Sequence, residues 1–259
     1  MMQKDARQRG KLAGRTAIVT GSGQNVGRSI ALYFAREGAN VVINGHRNKA
    51  LVDNVVAEIH ALGGNALGIM ADVGDADAVA AMVRQTIEHF GAVDIAVSNV
   101  SIRRLQPFLE ISIKDWNDTL NTNLNSCFYM ARAVIPGMKA RNWGRLIHIS
   151  GVDGFAGHIP TRAHNIVCKS GMHAFAKAIA VEFGEFGITA NTVSPGSLNT
   201  TRDWSQYPPN WAEMRKAQIP VKRLGTADEI AAACLYLAGE DAGFVTGQVI
   251  HVNGGQYMY

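Results

Sequence analysis

The sequence predicts an α/β fold of the doubly wound kind: a seven-stranded parallel sheet flanked by helices on both faces. Three observations predict it. Short β-branched runs alternate along the whole chain with longer helical patterns, the order that parallel strands joined by helical crossovers require. Several of the runs are almost wholly apolar, as strands covered on both faces should be. Hydrophobic residues make up 47% of the 259 residues and charged residues 18%, which supplies a sizeable core and argues against disorder.

The elements follow in order. Strands are expected over 15–20, 40–44, 66–71, 93–98, 144–150, 188–193 and 248–252, each a short apolar or β-branched run. Helices are expected near 26–37, 48–62, 75–90, 112–140, 163–186 and 226–240. Right-handed crossovers then place ligands at the carboxyl ends of the strands. Residues 1–11 are polar and basic without an apolar core, so they are expected to form a loose lead-in rather than a secretory signal. The stretch 198–220 breaks the rhythm with Trp204, Trp211 and Pro208-Pro209; it reads as a substrate lid or as a plain surface insertion. With no repeat, low-complexity tract or linker, residues 1–259 read as one domain.

Composition narrows the partners. The net charge of +4 is spread along the chain, which suits anionic small molecules and gives no sign of nucleic acid. Cys127, Cys168 and Cys234 are too few for a disulfide framework and sit in apolar helical surroundings, so buried thiols in a reducing, cytoplasmic setting are expected. No apolar run approaches the roughly 18 residues of a membrane span. His158 and His164 make no metal-ligand pattern.

The first strand runs into Thr20-Gly21-Ser22-Gly23-Gln24-Asn25-Val26-Gly27, and a helix follows at once. Glycines between the first strand and first helix let the backbone turn tightly and approach a pyrophosphate seated on the helix N-terminus. The second strand ends in Asn44-Gly45-His46-Arg47, without the acidic side chain that would accept from the ribose 2′-OH of NAD. Arg47 can grip a 2′-phosphate with charge-assisted, bidentate hydrogen bonds, with His46 assisting, so NADP(H) is expected over NAD. The alternative is a solvated arginine at a loop tip.

Further along, Asp72-Val73, Ser98-Asn99-Val100-Ser101, Pro195-Gly196 with Thr200, Arg223-Leu224-Gly225, Thr246-Gly247-Gln248 and Val252-Asn253-Gly254-Gly255 complete a pattern. Over residues 12–256 the chain resembles the short-chain dehydrogenase/reductase family, in its 3-oxoacyl-carrier-protein-reductase-like form. Asn25 stands where that family has the middle glycine of the turn, and Asn tolerates left-handed backbone. The resemblance implies a Rossmann-like fold and one dinucleotide-binding oxidoreductase domain. It also implies cofactor contacts from Gly21, Ser22, Gln24, Asn25, Val26, Arg47, Asp72, Val73, Asn99, Lys169, Pro195, Gly196 and Thr200, and a homotetramer packed through the fourth and fifth helices.

It implies a catalytic set too: an Asn that holds a water, a Ser that polarises the substrate oxygen, a Tyr that transfers the proton, and a Lys four residues later on the same helical face. Asn123 and Lys169 match. The serine position falls at Gly151, with Ser150 just before it, and the tyrosine position falls at Asn165, after a stretch one residue longer than usual. An amide can donate a hydrogen bond but cannot serve as a proton donor. His164 is the neighbouring substitute, since imidazole titrates near neutrality; otherwise it caps or packs. Arg103, Arg104, His158 and Arg162 read as a basic pocket mouth for an acid or acyl-carrier substrate, or as solvated loop charge.

Three readings follow. One is an NADP(H)-dependent oxidoreductase of a carbonyl or secondary alcohol. Another is a dinucleotide-binding protein without turnover, acting as a sensor or partner subunit. The third is the same fold with lyase, isomerase or dehalogenase chemistry.

Overall fold

The computed structural model describes residues 10–156, 160–201 and 209–258. Seven parallel strands form one sheet in the order β3-β2-β1-β4-β5-β6-β7. They are β1 (Thr16–Val19), β2 (Asn40–Gly45), β3 (Asn65–Met70), β4 (Ile95–Ser98), β5 (Gly144–Ile149), β6 (Ile188–Pro195) and β7 (Val249–Val252). The strand order reverses between β1 and β4, which opens a crevice at their carboxyl ends. Every residue of β1, β4, β5 and β6 is buried, in line with the apolar runs read from the sequence, whereas the edge strand β3 exposes Asn65, Gly68 and Met70.

Two hydrophobic clusters cover the two faces. On one, α1 (Asn25–Arg36), α2 (Lys49–Ala61) and α8 (Ala227–Ala238) pack Ile30, Phe34, Ile59 and Leu237 against β1 and β2. On the other, α3 (Ala76–Phe90), α5 (Ser126–Ala140) and α6 (Ala163–Phe183) pack Met82, Met130, Met138 and Ala176 against the alternate side chains. Burying a Leu, Ile, Met or Phe side chain contributes about 1.5–3 kcal/mol each.

Three elements differ from expectation. The single helix expected over 112–140 is divided into α4 (Ile113–Leu120), a π-helical turn over Asn121–Asn125, and α5. Side-chain bonds draw this asparagine-rich turn out of α-helical register: Asn121 donates to Gly74 O at 2.6 Å and Asn123 to Ile102 O at 2.8 Å. Within the irregular stretch 198–220 lies a two-turn helix, α7 (Trp211–Gln218), whose composition favours helix once the prolines at 208–209 are passed; Trp204 lies outside the described residues. The expected lead-in is already fixed at its end, where Lys11 N donates to Glu37 Oε2 at 2.8 Å and Leu12 N to Glu37 O at 2.9 Å; residues 1–9 lie outside the described residues. Among the described residues no helix is long and apolar enough to cross a membrane.

Candidate active site

The β1–α1 turn is built from inside. Ser22 is fully buried, its Oγ donating to Val19 O at 2.6 Å and accepting from Asn44 N at 3.1 Å. Asn99 donates through Nδ2 to Thr20 O at 2.9 Å and to Gly21 O at 3.3 Å, while its backbone N–H donates to Thr20 Oγ1 at 2.9 Å. The side chains of Ser22 and Asn99, expected on the cofactor, are thus used to shape the turn. Gly27 is obligatory, because a Cβ there would lie 2.5 Å from Gly21 O. Asn25 adopts φ 49°, the left-handed geometry its place in the turn demands, and its Oδ1 accepts from Thr201 N and Oγ1, both at 3.0 Å. Helix α1 has no side-chain cap at Gln24 and no acidic residue in its first turn, so its first N–H groups and dipole suit an anion. The turn therefore fits a pyrophosphate.

Two cavities flank the turn. One, of about 520 Å³, is lined by Gly21, Asn44, Arg47, Asp72, Val73 and Arg104, among others. Arg47 is exposed there, and His46 Nδ1 lies 3.7 Å from Asp72 Oδ2. Asn44 is wholly committed to structure: its Oδ1 accepts from Gly21 N at 3.2 Å and its Nδ2 donates to Ala71 O at 3.1 Å. The other cavity, of about 450 Å³, brings together Val26, Asn99, Lys169, Pro195, Gly196 and Thr200 with Ser150, Gly151 and Asp153.

Lys169, on α6, is buried, and its Nζ donates to Ile149 O at 2.8 Å. Burial first, then the Arg103 charge, pushes its pKa down to about 8. Asn123, fully buried, holds both backbone groups of Ile102, accepting from N and donating to O at 2.8 Å each. Its amide also reaches Asn165 Oδ1 at 3.5 Å, and Asn165 Nδ2 lies 3.4 Å from Asp153 Oδ2. That carboxylate oxygen accepts from Arg162 Nη1 at 3.0 Å. Asn165 is 1% exposed and is not part of the cavity wall.

His164 is placed away from the chemistry. It lines neither cavity, is fully buried, and neither ring nitrogen has a partner among the described residues. Burial and the Arg104 charge hold its pKa below the usual imidazole value. Ser150 does line the cavity, with His173 Nε2 2.9 Å from its Oγ. The expected basic mouth divides: Arg103 and Arg162 line this cavity, Arg104 pairs instead with Asp115 and Asp118, and His158 lies outside the described residues.

This geometry matches known proteins over nearly the whole chain. The profile of the family described as Enoyl-(Acyl carrier protein) reductase matches residues 21–256. The chain belongs to the short-chain dehydrogenase/reductase family. It is 36% identical over 244 residues to the 3-oxoacyl-acyl-carrier-protein reductase FabG of Staphylococcus aureus, covering 94% of this chain and 98% of that one. It is 38% identical over 250 residues to BbsD of Thauera aromatica, a (2S)-((R)-hydroxy(phenyl)methyl)succinyl-CoA dehydrogenase subunit, covering 95% and 97%. The crystal structure of a candidate gluconate dehydrogenase from Agrobacterium tumefaciens superposes with a TM-score of 0.90 at 31% identity, covering 95% and 97%.

The protein is thus an oxidoreductase of the short-chain dehydrogenase/reductase type. On this scaffold Asn123 reaches Asn165 while Lys169 lines the cavity, and that cavity wall also holds a residue the sequence did not single out. Asp153 sits in a one-turn helix over Val152–Gly154, 9% exposed. Its signal was a lone acid in an otherwise apolar Gly-Val-Asp-Gly-Phe run, where a buried carboxylate must find a cation. Arg215, on α7, was missed because its helix was.

Proposed function

We propose that this short-chain dehydrogenase/reductase uses NADP(H) to interconvert a carbonyl and a secondary alcohol on a small, oxoacyl-type substrate, with a catalytic set in which Lys169 takes over proton transfer. The observation that carries it is Lys169 itself, buried in the wall of the cavity that also holds Val26, Pro195, Gly196 and Thr200. The FabG and BbsD resemblances support the oxoacyl class. A dihydronicotinamide, if bound there, would supply hydride to the carbonyl carbon. Lys169 Nζ then gives its proton to the resulting alkoxide oxygen and regains one from solvent. Its depressed pKa of about 8 suits that transfer near neutrality, with Arg103, Asp153, Cys127 and Cys168 as the titratable or charged groups that bias it. Ser150, backed by His173, orients the substrate oxygen. Arg47, exposed just past the end of β2, receives the adenosine 2′-phosphate.

The seal around Asn165 favours a second reading, a dinucleotide-binding protein without turnover. Single-turnover stopped-flow of NADPH-loaded protein against a mixed carbonyl panel separates the two. Wild type should oxidise NADPH at a rate that declines above about pH 8, and Lys169→Arg should keep NADPH and lose the oxidation. Silence in wild type, with oxidation appearing only in Asn165→Tyr, would establish the second reading. A cytoplasmic homotetramer belongs to the same proposal. Phe128 on α5, 48% exposed, and Val181 on α6, 88% exposed, offer apolar surface for it, and sedimentation velocity measures it.

A further inference from the structure

Among the described residues, three arginines and one carboxylate line the cavity together with Lys169. Arg162 is buried, Arg215 half-buried and Arg103 exposed at the mouth, so guanidinium groups run from the floor to the rim. Asp153 pairs directly with Arg162, through Nη1 at 3.0 Å, and also favours the charged form of Lys169, so one carboxylate faces several cations; the buried Nε of Arg162 has no partner among the described residues. Arg215 donates to Gln218 Oε1 at 3.1 Å and lies 5.7 Å from the Trp211 ring, and among the described residues it forms no ion pair. Arg103 is held in place indirectly: Asn123 grips both backbone groups of Ile102, the residue before it. Its charge is felt at Lys169, whose pKa it lowers. Gathering like charges in a concave, partly desolvated wall is unfavourable unless an anion neutralises them.

The geometry points to a carboxylate-binding subsite formed by Arg103, Arg162 and Arg215, so that the substrate is an oxo acid carrying its own carboxylate a few bonds from the reacting carbonyl. Planar guanidinium forks recognise a carboxylate through paired hydrogen bonds. The anion must lie in the same cavity as Lys169, which places it on the reacting part of the substrate. A carrier's phosphate, set apart from the acyl group by a long flexible arm, would sit elsewhere. This inference deepens the oxidoreductase reading by naming its substrate class, yet binding tests it without any turnover.

Isothermal titration calorimetry of the full chain saturated with NADP+, which occupies the pyrophosphate turn, would use glutarate, dimethyl glutarate and inorganic phosphate as probes. Glutarate should bind, its neutral ester should not, and phosphate should bind more weakly. Arg103→Gln, at an exposed site, and Arg215→Gln, at a half-buried one on the short helix α7, should each weaken glutarate roughly tenfold, the loss of one charge-assisted contact. The double variant Arg162→Gln/Asp153→Asn, which leaves no buried charge unpaired, should weaken it at least as much. Equal binding of acid and ester, phosphate as tight as glutarate, or glutarate affinity unchanged in Arg103→Gln and Arg215→Gln would each overturn the subsite. If it binds as expected while the carbonyl panel stays silent, the subsite stands and only the redox reading falls.

Discussion

Arg162 and Asp153 form a buried ion pair, Nη1 to Oδ2 at 3.0 Å, in the wall that also holds Lys169. The pair links the start of α6 to the one-turn helix after β5, and Asn165 joins it through the same carboxylate oxygen. Removing one partner of such a pair strands the other charge in a poorly solvated place. Asp153→Asn should therefore lower unfolding free energy by about 3 kcal/mol, measured by urea denaturation. Adding Arg162→Gln should return most of that loss. Additive losses in the double variant would mean the two residues are not coupled.

Asn25 ties the pyrophosphate turn to Thr201, which follows the cavity residue Thr200. Its φ of 49° costs an ordinary side chain about 1 kcal/mol that glycine avoids. Asn25→Gly should keep or raise the Tm, whereas Asn25→Ala should lower it. Both lose the bonds to Thr201, so NADPH should leave both faster than wild type in stopped-flow displacement. Release unchanged in both would mean the tie does not hold the cofactor segment.

What the sequence made legible was local. The turn at Gly21–Gly27 could be read because tight turns and close backbone approach restrict residue type at fixed spacing, and Gly27 bears this out with no room for a Cβ. Buried strands could be read from runs such as Val41-Val42-Ile43. Asn44 and Asp153 were not legible as structural hubs, since their partners, Ala71 and Arg162, are brought to them only by the folded chain. His164 shows the limit of helical spacing: being next to the expected tyrosine position turns it about a hundred degrees away, into the packing rather than toward the cavity. Helix α7 was hidden by the prolines before it.

Arg47 is exposed on the rim of the cavity it shares with Gly21, Asn44 and Asp72, where no acidic side chain ends β2. If it holds the 2′-phosphate, Arg47→Ala should weaken NADPH roughly tenfold to a hundredfold, the worth of a charge-assisted contact. NADH affinity should hardly change. Fluorescence titration of both nucleotides measures the ratio, and an equal loss for the two would remove Arg47 from cofactor selection.

His148 makes the acid limb of stability predictable. It lies in β5, fully buried, with neither ring nitrogen partnered among the described residues. Burial pushes its pKa down to about 4, against about 6.5 for the unfolded chain. The folded state therefore binds this proton less readily than the unfolded state. The stability tied to the neutral ring is whole above about pH 6.5 and is lost progressively as pH falls through about 4. The shift corresponds to a loss on the order of 3 kcal/mol. His173, also near 4 through burial, acts in the same window. His148→Leu removes both the titration and the unpartnered nitrogens while keeping an apolar side chain between β4 and β6, so it should be more stable than wild type at pH 5 and lose less on acidification. Urea midpoints taken from pH 7 to pH 4 decide it: a variant whose stability falls as steeply as wild type would place the acid sensitivity outside His148.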